Sequence, residues 1–327
     1  MIHPPIFAEL RFPGWDPVAF RVNLHFLHLG ILQVRWYGLG YLAAFLIAGA
    51  VLDRLGKAGL VPLTKDAVSD LIGWLVAGVL LGGRLGYALF YERSLLLHPL
   101  LLVQVWTGGL SFHGGLIGVV LASLLFARRR RLSWLRLADA LALAVPFGIF
   151  LVRCANFVNA ELYGRLAPAW LPWGVRFPTD PVVRTFSPEM AMAGGLHWHE
   201  TYARMVAAGA WAAVQAQIPL RHPSQLYEAL LEGVATGLAV WLAYRRQWSA
   251  ARRPGGIAVL FLCCYAAARF LVEFTRQPDA QLGFVLGPLS MGQVLSLGMF
   301  VLALALVVVA GRRAAPQPPA PQDGAAL

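Results

Sequence analysis

The chain has 327 residues, of which 58% are hydrophobic and 13% are charged, and its mean hydropathy is +0.63. This composition excludes an ordinary soluble domain and predicts a membrane protein. The formal net charge of +11 at pH 7 would suit nucleic acid. However, the basic residues are dispersed between apolar runs, as membrane topology signals and anionic-lipid contacts are, so we expect membrane lipids and no nucleic acid as partners.

Apolar segments long enough to span a membrane follow an N-terminal arm, residues 1–35, which we expect to lie on the membrane surface. We predict an all-α, polytopic membrane protein with about seven transmembrane helices. Pro146 is expected to kink the fourth of them. The predicted spans are about 36–52, 67–91, 113–127, 137–157, 225–244, 256–274 and 290–310.

The chain divides into five parts. The insert between the fourth and fifth spans is rich in Pro, Trp and Gly and has weak periodicity, so we predict a soluble arm or lid with a function. The tail is rich in Pro and Ala and is expected to be disordered. The parts are the interfacial arm (1–35), spans one to four (36–164), the insert (165–221), spans five to seven (222–312) and the tail (313–327).

The distribution of Lys and Arg predicts the orientation, because cytoplasmic loops are enriched in these residues. Alternate loops carry basic clusters such as Arg128–Arg131 and Arg245–Arg246. The short loops between them hold only Arg93 and Arg276. This alternation predicts that the N-terminus and the insert lie outside the cytoplasm and that the C-terminus lies in the cytoplasm.

The most unusual stretch, RCANFVNAELYGR, closes the fourth span and begins at Arg153. Charged and amide side chains are costly at the end of a membrane helix unless they have a function. Arg153 and Asn156 are three residues apart and share a helix face, and Gly164 is a natural stop signal after the helix end. A lone arginine could simply extend to the lipid head groups, but it would need neither Asn159 nor Glu161.

Polar residues of the second to sixth spans fall at the same outer membrane face in this topology: Arg84, His113, Arg153, His222 and Arg269. These residues are scattered in sequence but converge in depth, as the residues of one site would. A channel would more plausibly have polar groups at both ends and in the middle of its helices.

Arginines at one membrane depth can bind a phosphate through paired hydrogen bonds, and the phosphates available at an outer leaflet belong to phospholipid head groups. His113 and Gly114 lie at the start of a predicted helix, where free backbone N–H groups also favour an anion. Its neutral ring could act as a general base. A single histidine here is slightly more typical of an interfacial hydrogen bond, and its combination with Arg153 and Arg269 favours the functional interpretation.

Acidic residues close to the arginines are expected to support the site rather than to react. Glu273 lies four residues after Arg269 and three before Arg276, so it can neutralise or orient both. Glu161 can do the same for Arg153.

Two interpretations stay open for His222 and Gln225, which are three residues apart and share a helix face. They can belong to the site, or they can simply form the helix entry after Pro223. The sequence gives both interpretations equal support.

The stretch beginning at Arg153 resembles the signature of the bacterial prolipoprotein diacylglyceryl transferase family, Gly-Arg-x-(Gly/Ala)-Asn-Phe-apolar-Asn-x-Glu-x-x-Gly. Each fixed position matches except the first, where Val152 stands in place of the usual glycine. The resemblance covers roughly residues 15–312 and is weakest in the insert and the tail. Its other blocks are WYG (36–38), GGR (82–84), HGG (113–115), HPSQLYE (222–228), Arg269 with Glu273, RQPD (276–279) and GQ (292–293).

The resemblance implies transfer of the diacylglyceryl group from phosphatidylglycerol to the lipobox cysteine in the signal peptide of a prolipoprotein, at the bacterial inner membrane. In that membrane the N-terminus and the insert would lie in the periplasm. The products would be a thioether and glycerol 1-phosphate, and no metal or organic cofactor would be required. The family's essential residues carry over to His113, Arg153 and Arg269, and its supporting residues carry over to Tyr37, Asn156, Glu161 and Gly164.

Two other classes of protein remain as alternatives. A transporter or flippase for an anionic lipid would also have polar residues at one membrane face, although the two halves of the chain show no internal repeat. A phosphatase or phosphatidyltransferase would act on phospholipids as well. Such enzymes normally need acidic clusters for a metal or a histidine pair for a phosphoenzyme.

Overall fold

The computed structural model describes residues 10–23, 31–105, 108–192, 194–277 and 283–313. Residues 314–327 of the predicted tail and parts of the predicted N-terminal arm lie outside these ranges. Helices dominate the described chain. Its elements are β1 (Val18–Asn23), β2 (Ile31–Arg35), α1 (Trp36–Lys57), α2 (Lys65–Phe90), a 3₁₀ turn (Arg93–Leu97), α3 (Pro99–Leu102), α4 (Phe112–Arg129), α5 (Trp134–Val158), α6 (Val183–Phe186), α7 (Pro188–Met192), α8 (Gly194–Ala207), α9 (Trp211–Gln215), α10 (Ser224–Glu228), a π-helical segment (Ala229–Ala235), α11 (Thr236–Arg245), α12 (Ser249–Arg252), α13 (Gly256–Val272), β3 (Phe284–Leu286), β4 (Leu289–Ser290) and α14 (Met291–Arg313).

Six helices in the described ranges are long and apolar enough to cross a membrane, which confirms the prediction of a polytopic membrane protein. They are α1, α2, α4, α5, the continuous helix Ser224–Arg245 and the part Met291–Val308 of α14. The apolar helix α13 has 17 residues and is shorter than these six. The predicted sixth span, about 256–274, therefore stays a prediction.

Two short β-hairpins depart from the predicted all-α fold. β1 pairs antiparallel with β2 just before α1, and β3 pairs antiparallel with β4 just before α14. The sequence of β1, VAFRVN, contains β-branched and aromatic side chains, which favour a strand, and its last four residues alternate apolar and polar. The predicted interfacial arm thus enters the first membrane helix through a hairpin.

Helices α2 and α4 pack closely through glycine. Gly78, Gly82 and Gly86 of α2 face Gly114 and Gly118 of α4, and a Cβ atom on Gly78 would lie 2.6 Å from the carbonyl oxygen of Gly118. Such small residues allow two helix backbones to approach each other in a membrane. This contact sets the position of the first turn of α4.

A buried aspartate connects α5 to the start of α13. The Asp139 carboxylate accepts hydrogen bonds from the backbone N–H groups of Gly255 at 2.8 Å and Ala258 at 3.0 Å. It thereby satisfies N–H groups that have no partner within the helix. This cap fixes α13 at the end opposite to Arg269.

The insert packs onto the end of α5 through an aromatic core. Phe157 of α5 and Phe12 of the N-terminal arm contact Phe177 of the insert, with ring centroids 5.9 and 5.8 Å from it. The buried Asp180 carboxylate pairs with Arg221, 2.7 Å from oxygen to nitrogen, and links the first third of the insert to its last residue. The insert therefore lies directly over the RCANFVNAELYGR stretch.

Candidate active site

The end of α5 positions the first polar network. Arg153 donates to the side-chain oxygen of Asn156 at 3.4 Å, and the Asn156 amide donates to the Glu161 carboxylate at 2.8 Å. The amide of Asn159 donates to the same carboxylate oxygen at 3.3 Å. Glu161 is therefore linked to Arg153 through Asn156, and not by the direct pairing that the sequence suggested.

Gly164 lets three segments of the chain meet beside this network. Its N–H donates to the carbonyl of His222 at 2.8 Å, and it forms a β-bridge with Arg276. A Cβ atom at position 164 would lie 2.8 Å from the Cβ of His222 and would collide with the carbonyl of Thr275. Glycine is thus required here for close approach, in addition to its role as a helix stop.

Arg269, at the end of α13, and Arg276, in the segment that follows it, share a carboxylate. Glu273 is 2.9 Å from Arg269 and 4.0 Å from Arg276, and its other oxygen accepts a hydrogen bond from Ser290 at 3.0 Å. Gly292 leaves room for it, since a Cβ atom there would lie 2.6 Å from the Glu273 carboxyl carbon. Glu273 thus orients both arginines.

Two glutamates from the helix Ser224–Arg245 complete the site, and sequence reasoning assigned neither of them a role. Glu228 contacts Arg153 at 2.7 Å, Arg276 at 3.0 Å and Arg269 at 3.1 Å. Glu232 lies 3.4 Å from Arg269 and 3.6 Å from Arg153. The available signal was their spacing, because two carboxylates four residues apart in an apolar helix need cations nearby.

The resulting group, which we call the arginine cluster, contains Arg153, Arg269, Arg276, Glu228, Glu232 and Glu273. Three guanidiniums and three carboxylates give it a formal charge of zero. The arginine side chains keep exposed fractions of 19%, 15% and 12%, in the order named, whereas Glu228 and Glu232 have 0%. The cations are therefore on the accessible side of the cluster and the anions lie behind them.

Two tyrosines border the arginine cluster. Tyr37, in the first turn of α1, interacts electrostatically with Glu161 and Arg153, and its hydroxyl lies 3.3 Å from that of Tyr41. Tyr265 of α13 interacts electrostatically with Glu232 and is half-buried. Tyr37 was expected at the site from the resemblance, whereas Tyr265 was not expected.

His222 and Gln225 hold the helix entry next to the site. The Gln225 amide donates to the carbonyl of Glu161 at 2.6 Å. A His222 ring nitrogen lies 3.3 Å from the Tyr227 hydroxyl, which accepts a hydrogen bond from Trp173 at 2.7 Å. Burial lowers the pKa of His222, which favours its neutral form. Both residues thus connect the fifth span to the RCANFVNAELYGR stretch and the insert.

Arg84 has partners other than those that we expected. Its guanidinium donates to the backbone carbonyls of Leu101 at 2.6 Å, Leu102 at 3.0 Å, Gly108 at 2.6 Å and Gly109 at 3.2 Å. It is buried, and no contact among the described residues joins it to the arginine cluster. Arg84 holds the loop between α2 and α4.

His113 lies at the start of α4 with an exposed side chain. Its ring contacts that of Phe112, with centroids 5.7 Å apart, and no hydrogen bond or ion pair of the ring occurs within the described part of the chain. The N–H of Gly114, which we expected to face an anion, points to the capping hydroxyl of Ser111 at 3.3 Å. In the described ranges, no contact joins His113 or Gly114 to the arginine cluster.

Comparison with known proteins gives one consistent family. Residues 25–309 match the family model described as prolipoprotein diacylglyceryl transferase. A protein of Geobacter sulfurreducens named phosphatidylglycerol–prolipoprotein diacylglyceryl transferase is 44% identical over 93% of this chain and 98% of its own length. Proteins of the same name from Gluconobacter oxydans and Rhizobium meliloti are 43% and 40% identical, covering 96% and 91% of this chain and 98% and 92% of their own lengths. The chain therefore belongs to the prolipoprotein diacylglyceryl transferase family.

Proposed function

We propose that this protein transfers the diacylglyceryl group of phosphatidylglycerol to the cysteine thiol of a prolipoprotein. The family supports this activity, and one structural observation carries its assignment to a site. Arginines from the end of α5, from α13 and from the segment after α13 meet at one place, with their carboxylate partners buried behind them. Such a group of guanidiniums suits the phosphate of a lipid head group.

In the proposed reaction, the thiol sulfur attacks the carbon of the diacylglyceryl group that is bonded to the phosphate oxygen. The new C–S bond forms as the C–O bond breaks, and its electron pair leaves with the oxygen as glycerol 1-phosphate. The head group carries one negative charge before this step and nearly two after it. Arg153 and Arg269 therefore bind the transition state more tightly than the ground state, which lowers the barrier.

The thiol proton needs an acceptor, because a free thiol with a pKa of about 8.5 is mostly protonated at neutral pH. We assign this role to His113, whose exposed ring is available at the start of α4. The proton that the imidazole takes up is then released to the phosphate monoester or to water. Tyr37, Asn156 and Glu161 would shape the side of the site next to Arg153.

We infer that the site lies at the periplasmic face of the bacterial inner membrane. The support for this placement is the alternation of basic loops, with Arg128–Arg131 on the cytoplasmic side and the insert on the other. α13 would be the sixth of seven spans, since its 17 residues extend about 25 Å, close to the roughly 30 Å of the hydrocarbon core. The thiol of a membrane-anchored signal peptide could then reach the lipid head group.

The test uses the purified full-length protein in vesicles that contain phosphatidylglycerol, with a peptide that carries a lipobox cysteine. We expect glycerol 1-phosphate and thioether-linked peptide in equal amounts, and no glycerol 1-phosphate when serine replaces the peptide cysteine. Movement of lipid between leaflets without glycerol 1-phosphate would instead indicate a flippase. Release of inorganic phosphate would indicate a phosphatase.

A further inference from the structure

Glu228 and Glu232 contact the arginines at different distances. The three contacts of Glu228, with Arg153, Arg276 and Arg269, range from 2.7 to 3.1 Å. Those of Glu232 are 3.4 and 3.6 Å long. A π-helical segment, Ala229–Ala235, begins directly after Glu228, and such segments occur frequently at functional sites.

We propose that these glutamates are the internal counter-ion of the arginine cluster, in which Glu228 positions the guanidiniums and Glu232 weakens their hold on the phosphate product. This inference rests on the proposed function, because it assigns a role toward the phosphate that the transfer reaction releases. It makes neither glutamate a catalytic residue, since both lie behind the arginines and have no exposed surface.

Glu228 is suited to positioning because it is the common partner of all three arginines. Arg153 comes from α5, Arg269 from α13, and Arg276 from the segment that follows α13. The three guanidiniums all lie within ion-pair distance of one carboxylate, and like charges that are so close repel each other in a poorly solvated site. The guanidiniums therefore need an anion between them. A single buried carboxylate that forms ion pairs with all three guanidiniums, and accepts hydrogen bonds from those of Arg269 and Arg276, fixes their relative positions.

Glu232 is suited to adjusting charge, because its longer contacts contribute less to geometry. Without it, the formal charge of the cluster would rise from zero to +1. A cluster with more positive charge would hold the phosphate monoester, which carries nearly two negative charges, more firmly than the diester substrate. Turnover requires that this product leaves, so a carboxylate behind the arginines favours release.

Glu232→Gln tests the second role, because it removes the charge and keeps the volume and a hydrogen-bond acceptor. We expect the KM for phosphatidylglycerol to fall, kcat to fall, and the inhibition constant of added glycerol 1-phosphate to fall about tenfold. Glu189→Gln, at an exposed glutamate of α7, is the matched control and should change none of these quantities. An unchanged inhibition constant in Glu232→Gln would overturn the role of Glu232.

Glu228→Gln tests the first role through a double-mutant cycle with Arg269→Lys. If Glu228 acts through Arg269, each single variant should lose about 100-fold in kcat/KM and the double variant should lose little more. Losses that multiply would overturn the positioning role. Where Glu228→Gln does not fold, Glu228→Asp keeps the charge and serves in the same cycle.

The two proposals fail in different ways. A wild-type protein that releases no glycerol 1-phosphate would contradict the proposed function. An active wild-type protein, combined with unchanged product inhibition in Glu232→Gln and multiplying losses for Glu228, would contradict this inference alone.

Discussion

Two arginine sites at the ends of membrane helices show how different partners give the same residue different roles. Arg84 is buried and donates to four backbone carbonyls of a loop. Arg153, Arg269 and Arg276 instead contact carboxylates and keep part of their surface exposed. Carbonyl partners leave the positive charge uncompensated and hold the side chain in place, as a structural clamp does.

Carboxylate partners have a different effect on the arginines of the cluster. They compensate the charge of the guanidiniums while an accessible side remains for another anion, so the arginine cluster can exchange partners during a reaction. The clamp around Arg84 has no such side, because the side chain is buried and four of its five N–H groups donate to backbone carbonyls. The predictions below test whether the arginine cluster determines the activity and whether the clamp around Arg84 determines the stability of the fold.

The largest effect is expected in the arginine cluster. Arg153→Lys and Arg269→Lys each keep a positive charge but lose the planar fork that binds two oxygens, so activity should fall by about 100-fold or more. Glycerol 1-phosphate release from phosphatidylglycerol measures this loss, with membrane insertion and expression as controls. Near-normal turnover of both variants would contradict the head-group role.

The next effect concerns His113, which lies on the α2–α4 side of the molecule and so tests whether the clamp region also takes part in chemistry. As a general base it should contribute about 100-fold, and His113→Gln should abolish the acidic limb of the pH–rate profile. The limb arises because a protonated imidazole cannot accept the thiol proton. If the limb persists with much of the activity, the arginines alone supply the thiolate.

A smaller effect on activity is expected at the clamp itself. Arg84→Met keeps the aliphatic part of the side chain and removes all donors, so partly buried carbonyls of the loop lose their charged partner at a cost of about 1–3 kcal/mol each. The thermal midpoint should fall, while activity per folded molecule should stay close to that of the wild type. A large loss of turnover in a protein of normal stability would indicate that Arg84 binds the lipid head group.

The last prediction leaves activity unchanged and asks whether the cluster faces the periplasm. A cysteine placed at the exposed Trp170 of the insert, in a variant without the native cysteines, should react with a membrane-impermeant thiol reagent in intact cells. A cysteine at Arg130 should react only after the inner membrane is opened. The reverse labelling pattern would show that the topology is inverted and that the site lies at the cytoplasmic leaflet.

The sequence by itself determined the membrane class, the approximate helices and the stretch that carries Arg153. Long apolar runs and clustered basic residues are local properties, so composition and spacing are sufficient to recognise them. The two β-hairpins were missed because they are short and flank apolar helices. The pairing of Glu273 with Arg269 could be expected for the same local reason, since residues four apart share a helix face.

Only the tertiary structure decided which charges meet. Glu228 and Glu232 lie 75 and 79 positions after Arg153 in the sequence, and no periodicity connects them. Their contact depends on how the helix Ser224–Arg245 packs between α5 and α13. In the same way, nothing in the residues around Arg84 separated it from the arginines of the cluster. The loop carbonyls that accept hydrogen bonds from Arg84 are backbone groups, which every sequence has. Their arrangement around Arg84 can therefore be seen only in the tertiary structure.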